Sequence, residues 1–457
     1  MALTTYREAY AASSYVQQPV ITPRRFKVYQ HRQLDKIEAL KRVPDDIRFE
    51  MKVVANVLPF RVNEYVFNEL IDWENVPNDP LFQLTFPQKD MLDPSAFQRM
   101  ADLMSGKHTT NEVFDLATQL RQEMNPHPAG QMQMNVPHVD GEPLPGMQHK
   151  YRETVLFFPA QGQYCHSYCT FCFRWAQFVG KATRFNSNDA DQLHRYLAQH
   201  KEVTDLLVTG GDPMVMRTRK LKHYLEGLLQ PEFDHIKTIR IGTKALTFWP
   251  YRFITDPDAD ELMRLLEKLV RGGKHVSIMA HLNHHNELRT EVCEEAIRRL
   301  RATGAQIRCQ APLLRHINDD PKVWADMWER EVQLGMIPYY MFVERDTGAK
   351  RYFEVPLERT WEVFQQAYQQ VSGIARTVRG PSMSAGPGKV EVQGVTEVAG
   401  EKVFALRFIQ GRNPDWVQRP FFAKYDPDAT WLHQLKPAFG EDKFFFEDEY
   451  AQMAAMD

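Results

Sequence analysis

The sequence predicts an α/β fold: a partial (β/α) barrel of about six units, between a helical N-terminal region and an irregular C-terminal extension. Three observations carry that expectation. From about residue 154 short apolar runs alternate with amphipathic helical patterns, the texture of βα units around a parallel sheet. At 457 residues the chain exceeds one ordinary compact domain, leaving room for additions at both ends. Hydrophobic residues make up 43% of it, enough for a sizeable core.

Taken in order, residues 1–149 read as a helical region with a linker. Residues 27–52 are charged and compatible with a helix, and 97–104 space their apolar residues helically behind an Asp93-Pro94-Ser95 start signal. The stretch 110–124 sets Val113, Leu116 and Leu120 on one face, and 126–146, rich in Pro, Gly, Gln and Met, reads as a linker or lid. The barrel is expected over 150–395, with strands at 155–159, 205–209, 238–242, 275–280, 306–310, 338–343 and, last, 374–378. Between them, 260–270 aligns Leu262, Leu265, Leu266 and Leu269 on one helical face. The helix 291–301 turns Cys293, Ile297 and Leu300 inward and stops before Gly304. A doubly wound open sheet satisfies the same periodicity, and in both arrangements chemistry gathers at the C-terminal ends of the strands. Beyond Gly400 the pattern breaks, and the C-terminal extension 396–457, dense in Trp, Phe and Pro from Asp415 to Tyr450, is expected to pack on the barrel or on a partner chain.

Charge and cysteine usage narrow the function classes. Lys and Arg number 56 against 59 Asp and Glu, a net charge of −3, which argues against a nucleic-acid binder relying on bulk positive charge. No apolar run reaches the roughly 18 residues a membrane span needs, and residues 1–10 lack the apolar core of a signal peptide. Five cysteines do not make a disulfide framework in a chain of this length, so a reducing, cytoplasmic setting is expected.

Three of those cysteines, Cys165, Cys169 and Cys172, form a C-x3-C-x2-C run directly after the first expected barrel strand. Three thiolates can hold three irons of a cubane and leave the fourth open to a small molecule. Structural zinc normally takes four protein ligands, and the nearest extra donor, His166, is poorly spaced for it. Three core cysteines placed by chance are the plain alternative.

With the turn Thr209-Gly210-Gly211-Asp212-Pro213 at the end of the second expected strand, this run resembles the radical S-adenosylmethionine superfamily. Ordered matches from about residue 54 to 392 resemble one branch, the lysine 2,3-aminomutase family. They include Ile71-Asp72-Trp73, Asn78-Asp79-Pro80, Cys172-Phe173-Arg174 and Ile239-Arg240-Ile241-Gly242-Thr243. They continue with His281-Leu282-Asn283-His284-His285-Asn286-Glu287, the segment from Gln310 to Asn318-Asp319, Pro338-Tyr339-Tyr340 and Gly386-Pro387-Gly388-Lys389.

The resemblance implies a [4Fe-4S] cluster on Cys165, Cys169 and Cys172 whose open iron binds S-adenosyl-L-methionine. It places Gly210, Gly211 and Asp212 at the methionine amino group, with His281 and Gln310 also near that molecule. It further implies pyridoxal 5′-phosphate joined to Lys389, with Lys150 and Tyr151 near the phosphate; a second basic residue of the family aligns with Thr154. The plain reading of the Lys389 loop is a surface loop with a solvated lysine. Arg174 matches the arginine that clamps the substrate carboxylate, a task suited to a planar guanidinium. The implied protein is a 2,3-aminomutase, an isomerase that acts on a small amino acid, draws on a one-electron reductant such as flavodoxin or ferredoxin, and forms a homo-oligomer. Another radical enzyme on the same frame is the nearer alternative; a non-catalytic iron–sulfur electron-transfer or sensor protein is the more distant one.

Two departures bear on substrate. Where lysine-specific members hold the substrate ammonium with two aspartates, the register places Arg345 and Ser382; shifting it by one residue puts Asp346 there instead. An ammonium facing a buried guanidinium without acidic partners forfeits roughly 3–5 kcal/mol, so lysine is disfavoured and glutamate is the first expectation. The family's zinc cysteine after the Asn-Asp motif is replaced by Asp320, and no cysteine follows Cys309, so that zinc site is expected to be absent. Cys293 and Cys309 read as core residues.

Overall fold

The computed structural model describes residues 20–124, 134–180, 184–345 and 348–456. Two small antiparallel pairs lie in the N-terminal region: β1 (Val28–Gln30) with β2 (Arg61–Asn63), joined through a helix, and the hairpin of β3 (His138–Val139) with β4 (Glu142–Pro143). The remaining strands form one eleven-stranded mixed sheet. They are β5 (Met147–Tyr151), β6 (Thr154–Phe157), β7 (Asp205–Val208), β8 (Thr238–Thr243), β9 (His275–His281) and β10 (Gln306–Leu313), followed by β11 (Ile337–Val343), β12 (Arg379–Ser384), β13 (Gly388–Val398), β14 (Glu401–Gly411) and β15 (Pro420–Lys424). From β6 to β12 every neighbour pair is parallel and the order follows the chain. A doubly wound sheet reverses its order at a switch point; this one has no reversal, which removes that alternative. Antiparallel strands flank the parallel set on both sides.

Six of the seven expected strands lie within a few residues of their predicted positions. The seventh is displaced. Residues Gly373–Ala375 form a 3-10 turn with Ile374 70% exposed, and the strand is β12. Gly380 and Pro381 sit inside it, and a proline without an N–H donor disguises a strand that is otherwise well buried.

The C-terminal extension is not irregular, which corrects the sequence expectation. Ala399 (φ 53°) and Gly400 (φ 83°) form a two-residue left-handed turn between β13 and β14, so the glycine that read as a break is a hairpin tip. Position 395 therefore falls within a strand. The aromatic residues that follow pack on this antiparallel part, with Phe421 5.6 Å from Phe408 and 5.5 Å from Phe446 between ring centres.

The N-terminal region is also less helical than expected over 27–52. It opens with β1 and two 3-10 turns, His31–Lys36 and Glu38–Arg42, before the helix Asp45–Val57 starts behind Pro44. A proline keeps the residue before it out of the helical region, which explains the late start. The helices Pro94–Ser105 and Thr110–Glu123 stand where their start signals put them; Asp93 accepts from the Ser95 amide at 3.0 Å. Of the expected linker, 125–133 lies outside the described residues and 138–143 forms the β3–β4 hairpin.

The main core lies between the parallel strands and helices such as Ala259–Arg271 and Glu291–Ala302, whose leucines are buried. Each such side chain contributes roughly 1.5–3 kcal/mol. Cys293 and Cys309 belong to this core. Among the described residues no helix is long and apolar enough to cross a membrane.

Candidate functional site

The strand order brings the loop after β6, which carries the three thiols, beside the turn after β7. Gly210 (φ +146°) and Gly211 are required there by the chain itself. A Cβ on Gly211 would lie 2.5 Å from the Tyr164 nitrogen, and one on Gly210 2.4 Å from Gln163 Nε2. The amides of Gly211 and Asp212 both donate to the Gly162 carbonyl at 3.0 Å. The close approach that the sequence suggested for a ligand is thus made, at least in part, by the thiol loop.

Asp212 is engaged on all sides. It accepts from Met214 N at 2.9 Å, Thr243 Oγ1 at 2.7 Å, Lys244 N at 2.9 Å and Ala245 N at 3.0 Å. Burial, opposed by those bonds, pushes its carboxyl up to about 6. Its side chain ties the turn after β7 to the one after β8.

Two further residues, to which sequence reasoning assigned no role, complete this tie. Lys244 Nζ donates to Glu287 Oε2 at 2.7 Å, Asn283 Oδ1 at 3.0 Å and the His281 carbonyl at 3.2 Å. Glu287, fully buried, also accepts from Thr247 Oγ1 at 2.6 Å and the Asn283 amide at 2.7 Å. The only sequence signal was that Glu287 lies in a family-like segment.

The thiols of Cys165, Cys169 and Cys172 are free, and burial raises all three: Cys165 well above the usual range, Cys169 to about 12 and Cys172 to about 11. Thiolates are what bind metal, so occupancy by iron would have to displace those protons. Among the described residues no three Cys, His, Asp or Glu side chains stand close enough together to hold a single metal ion. A cubane takes each thiolate on a different iron, and the three free thiols of this loop offer that donor set. The N-terminal region holds the loop: Tyr168 N donates to Arg61 O at 2.8 Å, Thr170 N to Leu84 O at 3.0 Å, and Asn63 Nδ2 to Ser167 Oγ at 3.0 Å. His166 turns its ring edge onto Phe26, 5.5 Å between centres.

Next to the thiols lies a cationic pocket. The Arg174 guanidinium rests on the Phe158 ring at 4.1 Å, and its Nε and Nη2 are buried without a hydrogen-bond partner among the described residues. Burial brings its pKa down to about 9, with Arg345 acting in the same direction. Arg345 rests on Phe173 at 5.1 Å and also bears on Lys150 and Tyr151. Asp346, its neighbour, lies outside the described residues. Lys150 donates to the Ala385 carbonyl and is pushed well down by burial; Tyr151 is pushed up for the same reason.

Ser382 is fully buried and its Oγ has no partner among the described residues. His281 Nε2 is likewise unpartnered, and burial lowers the ring to about 3, so it is neutral at ordinary pH. Gln310 stands opposite His281 in the β9–β10 register.

Lys389 is not a solvated loop residue. It lies on β13, its Nζ sits 4.1 Å from the centre of the Tyr340 ring, and burial, helped by Arg240 and Arg379, lowers it to about 7. The glycines before it serve packing: a Cβ on Gly388 would lie 2.3 Å from the Gln410 carbonyl, and one on Gly386 2.2 Å from the Tyr450 hydroxyl. Asp320, where relatives carry a zinc cysteine, instead caps the helix Pro321–Gln333 by accepting from Lys322 N at 2.8 Å.

No family model matches the chain. Among curated proteins, one from Aquifex aeolicus (strain VF5) named "Putative L-lysine 2,3-aminomutase" is 30% identical over 415 residues, 89% of this chain and 96% of the relative. The L-lysine 2,3-aminomutase of Escherichia coli (strain K12) is 28% identical, covering 52% of this chain and 67% of its own. That of Bacillus subtilis (strain 168) is 24% identical, covering 79% and 66%. Solved structures are more distant. A radical SAM methyltransferase from Sphaerobacter thermophilus, 17% identical over 51% of this chain and 68% of that one, has a TM-score of 0.37, and S-adenosylmethionine-bound SuiB from Streptococcus suis, 15% identical over 58% and 51%, has 0.34; neither likeness carries an argument. At the Aquifex protein's identity and nearly full coverage, the chain belongs to the lysine 2,3-aminomutase family of radical S-adenosylmethionine proteins.

Proposed function

We propose that the protein is an isomerase that moves the α-amino group of an amino acid to the β-carbon, and that its substrate carries an acidic or polar side chain, glutamate first. The observation that carries this is the Arg174 guanidinium, with two buried, unpartnered nitrogens beside the positive charge of Arg345. Buried charged donors are rarely left unbonded, and a planar fork of this kind matches a carboxylate. Arg174 binds the α-carboxylate, Arg345 faces the side-chain carboxylate, and Ser382 Oγ supplies a neutral hydrogen bond. A lysine substrate would bring an ammonium among these cations.

When bound, the [4Fe-4S] cluster on Cys165, Cys169 and Cys172 with S-adenosylmethionine supplies a hydrogen-abstracting radical, and pyridoxal phosphate supplies an imine-forming aldehyde. Lys389 suits the second because half of it is neutral near pH 7, and only a neutral amine attacks an aldehyde. Lys150 and Tyr151 stand near it, while Gly210, Gly211, His281 and Gln310 border the S-adenosylmethionine side; Asp212 positions them.

The frame of the proposal is a partial (β/α) barrel over 150–395, supported by one cavity lined from β7, β8, β9, β10, β11 and β12 together, as a concave sheet allows. The described residues within 1–149 cover the thiol loop, and those within 396–457 buttress the Lys389 hairpin. A one-electron reductant of the flavodoxin or ferredoxin kind, a cytoplasmic setting and a homo-oligomer complete it.

A second reading, lysine as substrate, is favoured by the names of the relatives. Protein reconstituted with iron and sulfide without oxygen, given S-adenosylmethionine, pyridoxal phosphate and dithionite, separates the two when offered glutamate, lysine, arginine and aspartate. Accumulation of β-glutamate is expected. β-Lysine alone would overturn the substrate and keep the isomerase; failure to release 5′-deoxyadenosine with any amino acid would overturn both.

A further inference from the structure

The cavity that Lys389 borders does not lie at the thiol end of the strands. It has a volume of about 720 Å³ and is lined by the first residues of β7, β8, β9 and β12, at the opposite end of the parallel sheet. Its wall carries Arg240, Arg308, Arg379 and Lys389, with His275 at an exposed position, against a single carboxylate, Asp205. That carboxylate is already used: it accepts from Arg240 Nε at 2.9 Å and from Thr154 Oγ1 at 3.1 Å.

Arg379 is different. Its guanidinium stacks 4.5 Å from the centre of the Tyr339 ring and 4.3 Å from that of Tyr340, and it has no hydrogen bond or ion pair among the described residues. A guanidinium held by its face on aromatic rings leaves its edge donors free to point into the cavity. Lys389 Nζ stands over the same Tyr340 ring. The cations on the other side of Lys389 are engaged with backbone, Lys150 on the Ala385 carbonyl and Arg412 on the Gly386 carbonyl at 3.2 Å. Thr154 is neutral, and it shares Asp205 with the Arg240 guanidinium.

We propose that Arg379, backed by Arg240, forms an oxyanion subsite that takes the phosphate monoester of the cofactor held at Lys389. This rests on the pyridoxal reading given above, but the anion site can be tested apart from it. Full-length protein stripped of pyridoxal is titrated with inorganic phosphate, then with pyridoxal phosphate and with pyridoxal. Wild type is expected to bind inorganic phosphate, and Arg379→Gln to bind it about ten- to hundredfold more weakly, the worth of a charge-assisted bond. The preference for pyridoxal phosphate over pyridoxal should fall by a similar factor, and Arg379→Lys should restore part of both.

An unchanged phosphate affinity and an unchanged preference in Arg379→Gln would overturn the subsite, as would wild type that ignores inorganic phosphate. Lys389→Met separates the parent reading: it should abolish the borohydride-fixed pyridoxal adduct while phosphate still binds. If wild type binds phosphate in an Arg379-dependent way yet forms no adduct, the pyridoxal reading fails and the anion site stands.

Discussion

Two sets of buried polar side chains serve this sheet, and they are completed to different degrees. Around Asp212, Lys244 and Glu287 every charge meets a partner inside the protein: Lys244 uses three donors on three acceptors, and Glu287 accepts on both oxygens. In the other set Arg174 Nε and Nη2, His281 Nε2 and Ser382 Oγ have none among the described residues. Since nearly all buried polar groups in folded proteins are bonded, the charges of the first set read as scaffold, and the proposed function gives the second set its ligand. Perturbation by burial alone does not distinguish them, as Asp212 is shifted as clearly as Arg174; partner count does.

Substitutions can break that contrast. Arg174→Ala should cost roughly a thousandfold in kcat/KM, the loss of a buried charge-assisted clamp, while the melting temperature holds or rises because an unpaired buried charge is removed. A fall in melting temperature with activity retained would put Arg174 in the scaffold. Lys244→Met should do the reverse, lowering unfolding stability by about 3–5 kcal/mol as Glu287 is left buried alone. Urea titration measures it, and adding Glu287→Gln should return part of the loss.

Arg345→Asp should reduce turnover of an acidic substrate by about a hundredfold and of a neutral amino acid far less; equal losses would remove Arg345 from the side-chain pocket. A last effect is read through pH at Lys389, whose folded value, about 7, lies below its unfolded 10.5. Folding therefore favours the neutral amine: the contribution is full above 10.5 and is lost as pH falls through 7. The stability difference between wild type and Lys389→Met should grow with pH across that window by up to about 1.4 kcal/mol per unit. A difference independent of pH would mean the ammonium is solvated.

The parallel strands were legible because each is a short apolar run between helices with clear leucine spacing. β12 was not, because Gly380-Pro381 carries the local signal of a loop while its burial comes from neighbouring strands. β14 was hidden by its density in large residues, where alternation shows only once one face is covered by Phe421 and Phe446. In the site, the thiols and Arg174 were visible as a spaced group along the chain. Lys244, Glu287 and Asn63 were not, since the Lys244–Glu287 pair spans 43 residues and the Asn63–Ser167 bond 104, and no spacing rule connects them. Arg379 escaped notice for a similar reason: its meaning depends on two tyrosines of another strand.

The contact of Tyr450 with Gly386 has a consequence for how the protein is made. The parallel strands join the sheet in the order in which they are synthesised, so the thiol loop has its neighbours on β6 and β7 early in translation. The Lys389 hairpin, by contrast, rests against a hydroxyl within the last ten residues of the chain. At ordinary elongation rates that separates the two by on the order of tens of seconds on the ribosome. The two ends of the sheet thus mature at different times, and a nascent chain released short of Tyr450 would carry a formed thiol loop with an unfinished lysine hairpin.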